Sequence, residues 1–202
     1  MPHLRLYRPT DHADVYDVCL RTGDSGGDAT GVFRDDTLLP DIYAGPYLAL
    51  QPDLAFVIDT GERVSGYLLA AQDSRAFAER YRAEWLPEFA ARHPLVEPPV
   101  TAEDRLVRVG HHPESALGPD QDRYPAHLHI DLLPELQRQG WGRVLVRTLL
   151  EELRRRNVPG VQLAYGERNA GAGVFYRRLG FHPLPSTPEN GLALALESDA
   201  QL

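Results

Sequence analysis

The chain of 202 residues contains no lysine; all 21 of its basic residues are arginine. A Schiff-base lysine, a lysine general base and the lysine of a P-loop are thereby excluded. The single cysteine, Cys19, has no partner for an internal disulfide. No apolar run reaches the roughly 18 residues of a membrane span. Met1 to Arg8 lack the apolar stretch and small-residue cleavage site of a signal peptide. A reducing, cytoplasmic setting without membrane association is the expectation. Positive charge is scarce as well, since 29 acidic side chains bring the formal net charge to −8, the wrong sign for a protein whose work is gripping nucleic acid.

What is present suits one good-sized domain over residues 1–202: 43% hydrophobic and 25% charged residues, enough to bury a core. The charge is laid out unevenly. Residues 1–60 carry a net −6 and 61–134 a net −4, whereas 135–202 carry +2.

Along the chain, Leu4 to Tyr7 alternate as a short strand, and Thr10 or Asp11 can cap a helix that buries Val15, Val18 and Cys19 and ends near Gly23. Cys19 is then most simply a small core residue. A second helix is expected from Asp35 to Ala44. Ala55 to Asp59 and Arg63 to Gln72 form a hairpin about Thr60-Gly61-Glu62. Ser74 is placed to cap a helix whose Phe77, Tyr81, Trp85 and Phe89 recur every four residues, with Pro87 bending it. That stripe reads as core, or as a lining for an acceptor pocket or a partner. Pro94 to Pro125, with six prolines and no sustained period, reads as a long loop. Then follow a strand over His127 to Leu133, an amphipathic helix over Gly140 to Asn157, a strand over Val161 to Tyr165, a helix over Ala170 to Leu179 and a closing strand over Leu192 to Leu196. The order predicts an α/β fold with a mixed sheet.

Four constellations could carry chemistry. Gly23-Asp24-Ser25-Gly26-Gly27 looks like the nucleophile segment of trypsin-like proteases, but no double barrel precedes it to supply a triad, so it reads as a chance match in a loop. His127, His129 and Asp131 share one face of a strand. Three adjacent same-face groups rarely close a metal site, and only His111-His112 offers a fourth ligand, so no metal is expected and the face is read as a pocket wall. Between that strand and the amphipathic helix lies Pro134-Glu135-Leu136-Gln137-Arg138-Gln139-Gly140-Trp141-Gly142. Two glycines at such a turn let backbone N–H groups converge on a phosphate, with Arg138 and Arg143 flanking it. Leu145 stands where a dinucleotide fingerprint would need its third glycine. Finally, Asn169 precedes a helix bearing Phe175-Tyr176, and a phenol there can donate a proton.

Together, Gln137 to Gly142 and Asn169, Phe175, Tyr176, Gly180 and Phe181 resemble the GNAT superfamily of N-acetyltransferases, most clearly over residues 127–181. Tyr67 to Arg92 and Tyr124 to Asp131 further resemble the acetyltransferase-like C-terminal domain of bifunctional O-GlcNAc hydrolases. The resemblance implies a GNAT-like acyl-CoA N-acyltransferase fold with splayed strands and acetyl-CoA as cofactor. It places the pyrophosphate on the backbone of Arg138, Gln139, Gly140, Trp141, Gly142 and Arg143, with Gln137 in the same motif. The pantetheine arm falls on Leu132, Leu133 and Asn169, and Tyr176 becomes the acid that protonates the departing thiolate. The general base has no motif position; Asp131 is the first choice and His129 the second. The acceptor is an amine on a small molecule, peptide or protein, and dimers are common in families of this kind. An inactive acetyl-CoA-binding pseudo-acetyltransferase or interaction module is the competing reading.

Overall fold

The computed structural model describes residues 1–187 and 192–202. Its described strands, β1 (His3–Leu6), β2 (Ala55–Asp59), β3 (Val64–Ala71), β4 (Ala126–Leu132), β5 (Gly160–Ala164), β6 (His182–Pro183) and β7 (Ala193–Glu197), form one sheet in the order β1-β2-β3-β4-β5-β7-β6. All neighbours are antiparallel except β4 and β5. The helices are α1 (His12–Thr22), α2 (Leu38–Tyr43), α3 (Gly45–Leu50), α4 (Ser74–Arg80), α5 (Leu86–Arg92), α6 (Ala102–His111), α7 (Trp141–Arg155) and α8 (Ala170–Arg178).

Both faces of the sheet are covered, which is why every residue of β3 is buried and its sequence is almost continuously apolar. On one face Leu145, Val146, Leu149, Leu150 and Leu153 of α7 pack with Tyr176 of α8 over Phe56, Leu68, Leu128, Val161 and Leu194. On the other, Val15, Val18 and Cys19 of α1 and Tyr47 of α3 pack over Val57, Tyr67 and Leu69. Each such leucine or valine, fully buried, contributes about 1.5–3 kcal/mol. Burial also pushes the Cys19 thiol up, in keeping with a core residue.

Several expectations are corrected by tertiary structure. The helix expected over residues 35–44 is the shorter α2, and a further helix not read from the sequence, α3, follows it with Pro46 in its first turn. Asp73, not Ser74, caps α4, its carboxylate accepting from Arg75 and Ala76 N–H. The aromatic stripe faces inward: Phe77, Tyr81 and Phe89 are buried and Trp85 is half-buried. A π-helical turn over Tyr81–Trp85 separates α4 from α5 and sets Pro87 in a first turn, where its missing N–H costs nothing. The proline-rich stretch holds helix α6. Thr101 Oγ1 accepts from Asp104 N–H (3.0 Å) while Asp104 Oδ2 accepts from Thr101 N–H (2.8 Å), a reciprocal cap legible as Thr101-x-x-Asp104. Gly110 lets α6 close on Phe89, since a Cβ there would lie 2.2 Å from the ring.

Candidate active site

β4 and β5 pair only at Ala126–Val161 and His127–Gln162; beyond that point they part. Leu133 N–H bonds Ser65 O across from β3 (2.9 Å), so by antiparallel alternation the odd-numbered residues of β4 turn their backbone groups to β3. Leu128, Ile130 and Leu132 turn theirs toward the gap. Leu132 therefore has its backbone where an extended ligand arm could pair with it. Leu133 does not: its N–H is spent on Ser65 and its side chain is buried.

The far end of the gap is closed by the loop before α7. Arg138 (φ 60°) and Gly140 (φ 88°) both adopt left-handed conformations, and a Cβ on Gly140 would meet nothing within 4 Å. The turn thus needs glycine for its backbone and leaves open space in front of it. Gly140 supplies no side-chain cap, and the N–H groups of Trp141, Gly142 and Arg143 find no acceptor among the described residues. Free donors at a helix N-terminus are the arrangement that suits an anion. Arg138 and Arg143 stand exposed beside it. Gln137 Nε2 donates to Leu132 O (2.9 Å) and Gln139 Nε2 to Glu135 O, so both amides brace the loop. Gly142 is buried beneath Phe175 of α8, which a Cβ would meet at 2.7 Å, so this glycine serves helix packing.

On the face of β4 opposite α7, His127, His129 and Asp131 stand in a row. Ser74 Oγ donates to Pro125 O (2.7 Å), which can only accept; His127 Nδ1, 2.7 Å from the same oxygen, must then carry the proton it donates to Ser74. His127 Nε2 is left to accept from the Tyr47 hydroxyl at 2.7 Å. Tyr47 Oη in turn accepts from His129 Nε2 at 3.0 Å. This chain fixes both tautomers and leaves His129 Nδ1 as the lone pair with no partner among the described residues. Burial pushes His127 down to about 3, with help from neighbouring His129, and His129 down to about 4. Both rings are neutral at pH 7, and both nitrogens of His127 are committed, which leaves it no lone pair for a metal.

Tyr67, paired in register with Asp131, donates its hydroxyl to Asp131 Oδ2 at 2.6 Å. Burial nevertheless holds the Asp131 carboxyl above its usual range. Burial first, and the Asp131 charge second, push the Tyr176 phenol upward, so it stays protonated. Asn169 caps α8, its Oδ1 accepting from Ala172 N–H (3.1 Å). His129, Asp131, Asn169 and Tyr176 all line one cleft of about 1170 Å³. A second cavity of about 650 Å³ adjoins it and shares Tyr43, His129 and Tyr165. The Ser25 segment is a tight turn at the rim, where Asp24 pairs with Arg168 (2.8 Å). Tyr47 and Tyr67 were not read as site residues and Ser74 was read only as a helix cap, for the three come from separate elements and only the tertiary fold brings them to β4.

Residues 106–183 match the acetyltransferase (GNAT) domain family. Among curated proteins, the Protein O-GlcNAcases of Rattus norvegicus and Mus musculus are each 22% identical over 181 residues, 88% of this chain. The chain spans about a fifth of their length, 20%. The crystal structure of SsHAT is 41% identical, covers 98% of this chain and 99% of its own, and superimposes with a TM-score of 0.92. YncA, an acetyltransferase-fold protein from Salmonella typhimurium solved with its cofactor acetyl-CoA, shares the fold at 15% identity, with a TM-score of 0.56 over 99% of this chain and 95% of its own. The sheet that opens between β4 and β5, the free N–H donors at the start of α7 and these likenesses place the chain in the GNAT acetyltransferase family.

Proposed function

We propose that the protein transfers an acetyl group from acetyl-CoA to an amine by direct attack. The observation that carries this reading is the cleft that brings the carboxylate of Asp131 and the phenol of Tyr176 to one wall, beside the edge of β4 that parts from β5, with the free N–H donors of α7 following on from the same strand. The residues fit the cofactor: the N-terminus of α7 with Arg138 and Arg143 would take the pyrophosphate, and the outward backbone groups of Ile130 and the N–H of Leu132 the pantetheine amides. The free amide nitrogen of Asn169 would add a further contact. Bound there, acetyl-CoA supplies an acyl group activated by its thioester.

The directions in which burial moves them separate the two candidate bases. His129, pushed down to about 4, is a weak proton acceptor; Asp131, pushed up, is a stronger one than an ordinary carboxylate. Asp131 therefore takes the amine proton, while His129 Nδ1 accepts an N–H hydrogen bond that orients the nitrogen. As the C–N bond forms and the C–S bond breaks, Tyr176 gives its phenolic proton to sulfur.

Acetyl-CoA at a hundredfold excess over Kd should stabilise the fold by about 2.7 kcal/mol. At about 2–4 °C per kcal/mol for a chain of this size, the melting temperature rises by roughly 5–10 °C. No rise at millimolar acetyl-CoA would overturn the reading.

A further inference from the structure

Two buried side-chain polar atoms among the described residues lack a hydrogen-bond partner, Tyr81 Oη and Gln121 Oε1. Both residues line the 650 Å³ cavity, and they are 4% and 3% exposed. They come from different parts of the chain, the π-helical turn after α4 and the 3-10 turn Pro119–Asp122. An unpaired buried polar atom is costly and rare, and a bound molecule's polar group is one way it is satisfied. The rest of the wall indicates what that molecule is. Phe77, Ile42, Leu117 and Leu184 make it apolar, His127 and His129 are neutral there, and Asp120 is its one acidic residue among those described. No arginine lines it, and its third histidine, His112, is already turned to Glu114 Oε1 at 3.3 Å, so a ligand carboxylate or phosphate would be left without a countercharge. The volume is that of a small-molecule pocket. His129 belongs to both this cavity and the larger cleft, so a molecule seated here reaches the reacting end of the site.

We propose that this cavity is the acceptor subsite and takes a small primary amine with an apolar body, free of carboxylate and phosphate, whose hydroxyl or amide group donates to Gln121 Oε1 once the shielded Gln121 amide turns toward it. That the bound amine is acetylated rests on the function proposed above; that it binds does not. The amine end lies at His129, and the polar end is held at Gln121.

The test is calorimetry on the full chain with two hydroxylated amines, tyramine and 6-aminohexanol, and their counterparts without the hydroxyl, 2-phenylethylamine and hexylamine. Tyrosine, which adds a carboxylate, and a lysine-containing hexapeptide complete the set. At least one hydroxylated amine is expected to bind at least tenfold tighter than its counterpart, than tyrosine and than the peptide. Gln121→Leu, with Gln121→Met as a second apolar replacement, should abolish the preference for the hydroxyl and leave the acetyl-CoA melting shift at the wild-type value. The proposal is overturned if no amine binds, if both variants keep the preference, or if the peptide binds tightest. Amine binding without any acetyl-CoA shift would sink acetyl transfer and leave the subsite standing, and the reverse result would sink the subsite alone.

Discussion

Gly142 sits directly beneath Phe175: a Cβ added to it would lie 2.7 Å from the ring's Cζ. The second residue of α7 is thus where α8 rests on α7, and the two helices that carry the free N–H donors and Tyr176 are held together through a missing side chain. Gly142→Ala should lower the melting temperature by several degrees through overpacking, which typically costs about 1–3 kcal/mol. Phe175→Leu in the same chain should restore part of the loss. A double-mutant cycle in urea checks this, and additive effects would show that the contact does not decide the glycine.

Tyr176→Phe keeps the ring and removes the proton. Acetyl-CoA affinity should stay within about twofold, while kcat on a reactive amine falls about 100-fold or more, in the range for loss of a positioned acid. Thiol release measures the rate. Equal rates would remove Tyr176 from the chemistry, and an undetectable wild-type rate with intact acetyl-CoA binding would favour the inactive reading.

Asp131 must be ionised to take a proton, and its carboxyl is raised above the ordinary range by burial. The acid limb of kcat/KM should therefore fall at a pH above that of an exposed aspartate. Asp131→Asn should keep the oxygen that Tyr67 donates to and abolish the limb along with most of the rate. A pH profile of both proteins decides it.

His127 and His129 fold with values near 3 and 4, below the ordinary 6.5 of an unfolded histidine. The unfolded chain binds more protons between those limits, so the stability from these neutral rings is full above pH 6.5 and is lost as pH falls toward 4 and then 3. Urea midpoints should drop across this window with a slope approaching two protons per pH unit. His129→Gln should flatten that slope. An unchanged slope would mean that the ring is not held neutral.

Much of the site was legible because its signals are local. The Gln137 to Gly142 turn, the apolar face of α7, and Asn169 with Tyr176 each depend on spacing within a dozen residues, and strand periodicity alone set His127, His129 and Asp131 on one face. The same locality misled at Ser74, where the serine chosen as a cap instead holds a β4 histidine, and at Leu133, whose pairing depends on β3. In the proline-rich stretch α6 was passed over because prolines on either side masked a capping signal only four residues long.

By itself the amino-acid sequence determined which elements form and which chemistries are absent: no lysine, no disulfide, a glycine turn before an amphipathic helix. Tertiary structure alone decided how the strands part and which nitrogen of His129 is free. It also decided which glycine answers to backbone conformation and which to packing, and that Tyr81 and Gln121 meet in one cavity. The physical reason is that propensity, periodicity and capping act between near neighbours. Hydrogen-bond direction, burial and the charge state of a side chain are set by whatever the fold brings from elsewhere in the chain.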